Sequence, residues 1–204
     1  MKVYIVGCAK SGTTLLKRMF YSFRVGVVVE ECNINDFSRA QGNLVAKRTH
    51  NTLFCTSILR QHDIDSQLSL MKDMFVINVV RHPYSVLKSY KKDWGLDGGA
   101  DWVNSMIQFN KYKDYIDLTI RYEDLVEFPD YIQEVIIEKT KLKPVNDFSA
   151  YPAFFPSNQV EIGAIDNYAL RPLDKDKLVI PKRPYTIVKD EVINKYMKQF
   201  NYDK

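Results

Sequence analysis

The sequence predicts an α/β protein of three layers, a central and mainly parallel sheet flanked by helices. Three observations carry this. Short β-branched runs at residues 2–6, 25–29, 44–48, 75–80 and 118–121 are bounded by polar or glycine-containing stretches. Between several of them lie segments with apolar residues at helical spacing, as in Leu15, Leu16, Met19, Phe20 and Phe23. Punctuation falls at the junctions: Gly7 and Gly12 after the first run, Pro83 and Pro129 where helices begin. Strand and helix alternating in this way imply parallel pairing with crossover helices, and a ligand at the carboxyl ends of the strands.

Taken in order, residues 2–6 read as a buried strand and 13–23 as a helix with one face on the sheet. Residues 25–29 make a second strand, 33–43 a polar loop and 44–48 a third strand. Residues 53–62 are weakly helical. The strongly apolar run 75–80 ends at Arg81-His82-Pro83, and Val86, Leu87 and Tyr90 give the following helix its apolar stripe. A helix over 100–114, a strand over 118–121 and a helix from Pro129 to about Lys141 complete the alternation. From 144 to 186 the periodicity fails amid prolines and aromatics, an irregular excursion over the sheet. Residues 187–200 return to a helical pattern. The chain is thus read as a single domain over 1–204, with an α/β core at 1–142 and the excursion plus a C-terminal helix at 143–204.

Composition narrows the class. The 204 residues are 46% hydrophobic and 26% charged, an ordinary globular balance with enough apolar material for a sizeable core. The net charge of +4 is too mild to imply nucleic acid and suits a small anionic ligand. Three cysteines, Cys8, Cys32 and Cys55, show no disulfide or metal-ligand pattern with the three histidines, which fits a reducing, cytoplasmic setting. Cys8 reads as a small packing residue. The first apolar run is too short for a signal sequence, and no stretch reaches the ~18–20 apolar residues of a membrane span.

Three constellations carry chemistry. Lys10-Ser11-Gly12-Thr13-Thr14 joins a strand to a helix with Gly-x-x-x-x-Gly spacing from Gly7 to Gly12. Such a loop offers backbone amides and the helix's positive end to an anion. Its lysine stands at position 10, whereas a nucleoside-triphosphate loop would have it directly after Gly12, where Thr13 stands. The second is Arg81 at a strand end with Ser89 about two turns into the next helix. Arginine there can grip a phosphate bidentately. The third is Lys47-Arg48-Thr49-His50. If that strand continues, alternation puts Arg48 and His50 on one face. There His50 suits taking a proton from an acceptor, and Arg48 suits balancing charge on a leaving group.

Together these segments resemble the sulfotransferases that use 3′-phosphoadenosine 5′-phosphosulfate (PAPS). Lys10-Ser11-Gly12-Thr13-Thr14 is similar to that family's 5′-phosphosulfate loop. Arg81 and Ser89 look like its 3′-phosphate motif. Arg48-Thr49-His50 resembles its Lys-Thr-His segment, which carries the catalytic base, and Tyr122-Glu123-Asp124-Leu125 resembles a segment whose tyrosine approaches the adenine. The resemblance covers residues 1 to about 142. It implies a P-loop-NTPase-like sulfotransferase fold and sulfuryl transfer from PAPS to a hydroxyl or amine. The product nucleotide would be 3′,5′-adenosine bisphosphate (PAP), and no metal is needed. His50, Lys10 and Arg48 would then be catalytic. Lys10, Ser11, Gly12, Thr13, Thr14, Arg81, Ser89 and Tyr122 would bind the donor.

The chain departs from the family in having Arg48 for lysine and no recognisable Gly-rich, Trp-containing closing segment. Lys182 and Arg183 are the basic residues that would stand in for it, and Glu30 or Glu31 the substitutes for His50 as base. The implied partner is a small-molecule or glycan acceptor, with Trp94, Trp102, Tyr151, Phe154, Phe155 and Tyr168 as candidates for an apolar wall. Two other readings compete: a small-molecule kinase, which needs lysine after Gly12 and a strand-end carboxylate for magnesium, and a catalytically inactive nucleotide-binding protein of the same fold.

Overall fold

The computed structural model describes residues 1–27, 34–49, 64–150, 180, 182 and 188–202. Its centre is a five-stranded, wholly parallel sheet in the order β2-β3-β1-β4-β5. The strands are β1 (Lys2–Gly7), β2 (Gly26–Val27), β3 (Leu44–Thr49), β4 (Phe75–Val80) and β5 (Leu118–Arg121). The helices are α1 (Thr13–Met19), α2 (Ile34–Arg39), α3 (Ile64–Met71), α4 (Pro83–Trp94), α5 (Gly99–Tyr112), α6 (Tyr122–Glu127), α7 (Pro129–Thr140) and α8 (Asp190–Gln199). The expected strands and the helices α1, α4, α5, α7 and α8 all form. Residues 28–29 and 53–62 lie outside the described residues.

Period-2 alternation splits the core cleanly. From β1, Tyr4 and Val6 face one side, where α4, α5 and α8 contribute Val86, Leu87, Tyr90, Trp102 and Tyr196. Val3 and Ile5 face the other, against Leu16 and Met19 of α1, Leu125 of α6 and Ile136 of α7. Each such aliphatic side chain, removed from water, stabilises the fold by roughly 1.5–3 kcal/mol. A strand apolar on both faces belongs in the middle of a covered parallel sheet, and β1 and β4 are buried along all but their first residue.

Three helices lie outside the sequence reading: α2, which replaces an expected loop, and α3 and α6, for which no element was expected. Part of the polar stretch 33–43 forms α2, because Phe37 is almost wholly buried and its ring meets Tyr4 at 6.1 Å. A single aromatic anchored on the sheet outweighs the local polarity, which favours a loop.

The topology fixes where a ligand belongs. The chain steps from β1 outward to β2 and β3, then returns across β1 to β4. The strand order therefore reverses at β1, and the crevice outside the carboxyl ends of β1 and β4 is the switch-point position.

Candidate functional site: the loop after β1 and the end of β4

The loop between β1 and α1 is shaped by two glycines and one strained lysine. A Cβ on Gly7 would lie 2.6 Å from the Val79 carbonyl oxygen and 2.8 Å from Ser11 Oγ, so only glycine lets the loop turn this close to β4. Gly12 has φ of 101°, and a Cβ there would run into the Tyr122 ring. Lys10 is left-handed at φ 67°, a conformation a side chain adopts at a cost of roughly 1–2 kcal/mol. The turn is closed by the Ser11 amide donating to the Cys8 carbonyl at 3.1 Å. No side chain caps α1, whose N-cap is Gly12. The hydroxyls of Ser11, Thr13 and Thr14 are thus not spent on capping. Ser11 Oγ is buried with no hydrogen-bond partner among the described residues. Cys8 is buried, and burial pushes its thiol up to about 12, which removes it as a nucleophile and fits the packing role.

Arg81, directly after β4, reaches into this loop. Its Nη1 donates to the Lys10 carbonyl at 3.1 Å, and its guanidinium lies 4.2 Å from the centre of the Tyr122 ring. That hydrogen bond ties down the strained residue. Its Nε is shielded and has no hydrogen-bond partner among the described residues. Tyr122, at the start of α6, is therefore sandwiched between Gly12 and Arg81. It belongs to the site.

The Lys10 side chain runs to α4. Its Nζ lies 3.0 Å from Asp93 Oδ2 and 4.0 Å from the centre of the Trp94 indole. Ser89 Oγ donates to the same Asp93 oxygen at 3.4 Å. Lys10, Ser89 and Arg81 are thus gathered at one edge of the sheet, as the motifs predicted.

Polar contacts behind Arg81 hold the end of β4. The His82 amide donates to Glu123 Oε1 at 3.0 Å, and Tyr202 OH donates to Glu123 Oε2 at 2.7 Å. Tyr196 OH, on α8, donates to the Arg81 carbonyl at 3.3 Å. Burial, and next the Glu123 charge, raise the Tyr202 hydroxyl well above its ordinary range, so it stays a donor. His82 Nδ1 accepts from the Tyr84 amide at 3.2 Å and so caps α4. Burial lowers the His82 pKa from its ordinary 6.5; the Glu123 charge opposes this and the Arg121 charge adds to it.

The remaining sequence candidates divide. β3 places the backbone of Arg48 beside Val6 and that of Thr49 beside Gly7, at the same edge as the loop. His50, Glu30, Glu31, Arg183, Tyr151, Phe154, Phe155 and Tyr168 lie outside the described residues. Lys182 is exposed, and no described contact joins it to the loop. Trp102 is fully buried between the sheet and Tyr196, so it is core and no part of an acceptor wall. Trp94 is 38% exposed and sits under Lys10. Sequence reasoning gave no role to Asp93, Glu123, Tyr196 or Tyr202. Asp93 was findable, since four residues after Ser89 it shares that residue's face of α4. The two tyrosines carry no local signal. Among the described residues no group of three His, Cys, Asp or Glu could hold a metal ion, and no helix is long and apolar enough to cross a membrane.

This three-layer α/β arrangement has the sulfotransferase fold, and solved structures match it over nearly the whole chain. The sulfotransferase domain of the Synechococcus PCC 7002 olefin synthase aligns with a TM-score of 0.74 at 14% identity, covering 100% of this chain and 96% of its own. The sulfotransferase domain from the curacin biosynthetic pathway gives 0.62 at 15% identity, covering 98% and 97%. The mouse sulfotransferase SULT7A1, solved with PAP, gives 0.54 at 15%, covering 98% and 83%. No protein-family model and no curated protein matches the sequence.

Proposed function

We propose that this chain is a sulfotransferase that moves a sulfuryl group from PAPS to a hydroxyl or amine of an acceptor. The observation that carries the reading is the Arg81 side chain hydrogen-bonded to Lys10 in the loop, 71 residues away in sequence. Two motifs that are specific in combination meet at one corner of the sheet. The fold neighbours support the same class, and one of them was solved with PAP.

In this reading the amides of residues 10–14, with Thr13 and Thr14, hold the phosphosulfate. Arg81 and Ser89 take the 3′-phosphate, which separates PAPS from ATP, and Tyr122 flanks the nucleotide. The S–O bond to the 5′-phosphate breaks as the acceptor oxygen or nitrogen bonds to sulfur. The acceptor's proton passes to His50, and PAP leaves. Lys10 stabilises the charge that grows on the oxygen between phosphorus and sulfur, and Arg48 shares that task. Lys182 and Arg183 supply outer basic contacts. Positioning and electrostatics dominate, as in phosphoryl transfer.

Titration calorimetry tests this directly. PAP binds without magnesium, and ATP binds far more weakly under the same conditions. Tight magnesium-dependent ATP binding with none of PAP would sink the reading in favour of a kinase.

A further inference from the structure

Asp93 is an unexpected residue where it stands. It is the next-to-last residue of α4, near the negative end of the helix dipole, where a carboxylate is disfavoured. It is also largely enclosed, its side chain 12% exposed and that of Lys10 13%. One oxygen, Oδ2, faces both the Lys10 ammonium at 3.0 Å and the Ser89 hydroxyl at 3.4 Å. The neighbouring Trp94 presents its ring to the same ammonium. These two partners are the side chains assigned above to the anionic groups of the donor, so a carboxylate stands where the donor's oxygens would compete for the same protons.

We propose that Asp93 is a positioning residue for Lys10: an internal counter-charge that holds the ammonium against α4 in the empty site and yields it to the donor. This rests on the sulfotransferase reading. Lys10 exchanges one anionic partner for another, so its bond to the donor is made at the expense of the bond to Asp93. The multiply charged PAPS outcompetes a single carboxylate. Once the ammonium has moved, Asp93 stands close to the phosphate held by Ser89 and continues to weaken its binding. Asp93 therefore lowers affinity for the nucleotide, and the unfavourable placement of its charge on the helix is offset by the Lys10 pair.

The variant Asp93→Asn keeps the shape and removes the charge. PAP, titrated by calorimetry, is expected to bind Asp93→Asn about tenfold tighter than wild type, the factor that ~1.4 kcal/mol corresponds to. A second readout needs no nucleotide. In lysine-labelled protein the Lys10 ε-methylene signal is shifted by the Trp94 ring. It moves toward the ordinary lysine position in free Asp93→Asn, and in wild type on adding PAP. Equal or weaker PAP binding by Asp93→Asn than by wild type overturns the proposal, as does an ε-methylene signal that Asp93→Asn leaves unmoved. A wild type that binds no PAP overturns instead the sulfotransferase reading, and the methylene signal of the free variant still decides the role of Asp93.

Discussion

The ends of β1 and β4 lie side by side in the sheet and each presents one cation, yet the two are held in opposite ways. Arg81 rests on neutral partners, the Lys10 carbonyl and the Tyr122 ring, and the backbone behind it is fastened to α8 through Tyr196. Its geometry is set before any ligand arrives and no carboxylate among the described residues cancels its charge. Lys10 sits on a strained backbone and its ammonium is already paired with Asp93. A cation fixed and uncancelled suits ground-state binding. One that must change partner suits an interaction that strengthens as charge develops, and only such interactions accelerate the chemical step. In the proposed function these two neighbouring residues would divide binding from catalysis.

The sharpest way to break this division is to truncate each cation separately. Lys10→Ala is expected to lower the rate of PAP release from PAPS by ~100–1000-fold, the range seen for removal of one transition-state donor, while PAP affinity changes by less than about tenfold. Arg81→Ala is expected to raise the PAP dissociation constant by ~10–100-fold, as loss of a charge-assisted hydrogen bond would, with a smaller effect on the maximal rate. Stopped-time product assays and calorimetry on the same preparations read both numbers. Equal PAP affinity in wild type and Arg81→Ala contradicts the assignment, as does a Lys10→Ala defect confined to binding.

A smaller effect is expected behind Arg81. Tyr202→Phe removes the 2.7 Å hydrogen bond to Glu123, whose other oxygen holds the His82 amide. The loss of a hydrogen bond to a charged acceptor costs about 1.5–3 kcal/mol, visible as a lower midpoint in urea. PAP binding weakens by about threefold as the Arg81 turn loosens, whereas the Lys10-dependent rate per bound donor is unchanged. A rate loss as large as that of Lys10→Ala would show that α8 supports the loop after β1 as much as the end of β4.

What the sequence disclosed follows from what is local. β1, β4 and their flanking Gly7, Gly12 and Pro83 were legible because a buried strand, a tight turn and a helix start each leave a mark within a few residues. Arg81 and Ser89 could be singled out together for the same reason, both lying on one strand–helix unit. The hydrogen bond from Arg81 to Lys10 was not, since it depends on β1 and β4 being neighbours, a matter of strand order. Tyr196 reads in the sequence only as part of the helical pattern of 187–200, and Tyr202 lies beyond it; their hydroxyls acquire meaning once they meet the Arg81 carbonyl and Glu123. Helix α2 reads as a loop because the stretch 33–43 is mostly polar, and only the fold shows that Phe37 is anchored on the sheet. Asp93 was passed over because a carboxylate on a helix is ordinarily a solvated one, and only the fold brings Lys10 to it.

The smallest predicted effect is a pH dependence at the His82 cap, and its sign is fixed by burial. The folded state holds the His82 pKa below its ordinary 6.5, chiefly because burial penalises the imidazolium, with the nearby Arg121 charge adding to this against the pull of Glu123. The unfolded chain therefore takes up this proton near pH 6.5 while the folded protein resists it. The contribution of His82 to stability is complete above pH 6.5 and is lost as pH falls from there through the lower folded value. Protonation also removes the Nδ1 lone pair that accepts the Tyr84 amide, so the cap of α4 fails with it. His82→Asn supplies a cap oxygen that does not titrate. Urea unfolding of the two proteins between pH 8 and pH 5 should give curves that run parallel above pH 6.5 and diverge below it, with wild type losing more. Parallel curves throughout would mean that the imidazole is solvated in the folded protein. The β4 end would then be fixed by Glu123 and α8 alone, and the contrast with the carboxylate-paired Lys10 would rest on those contacts without the His82 cap.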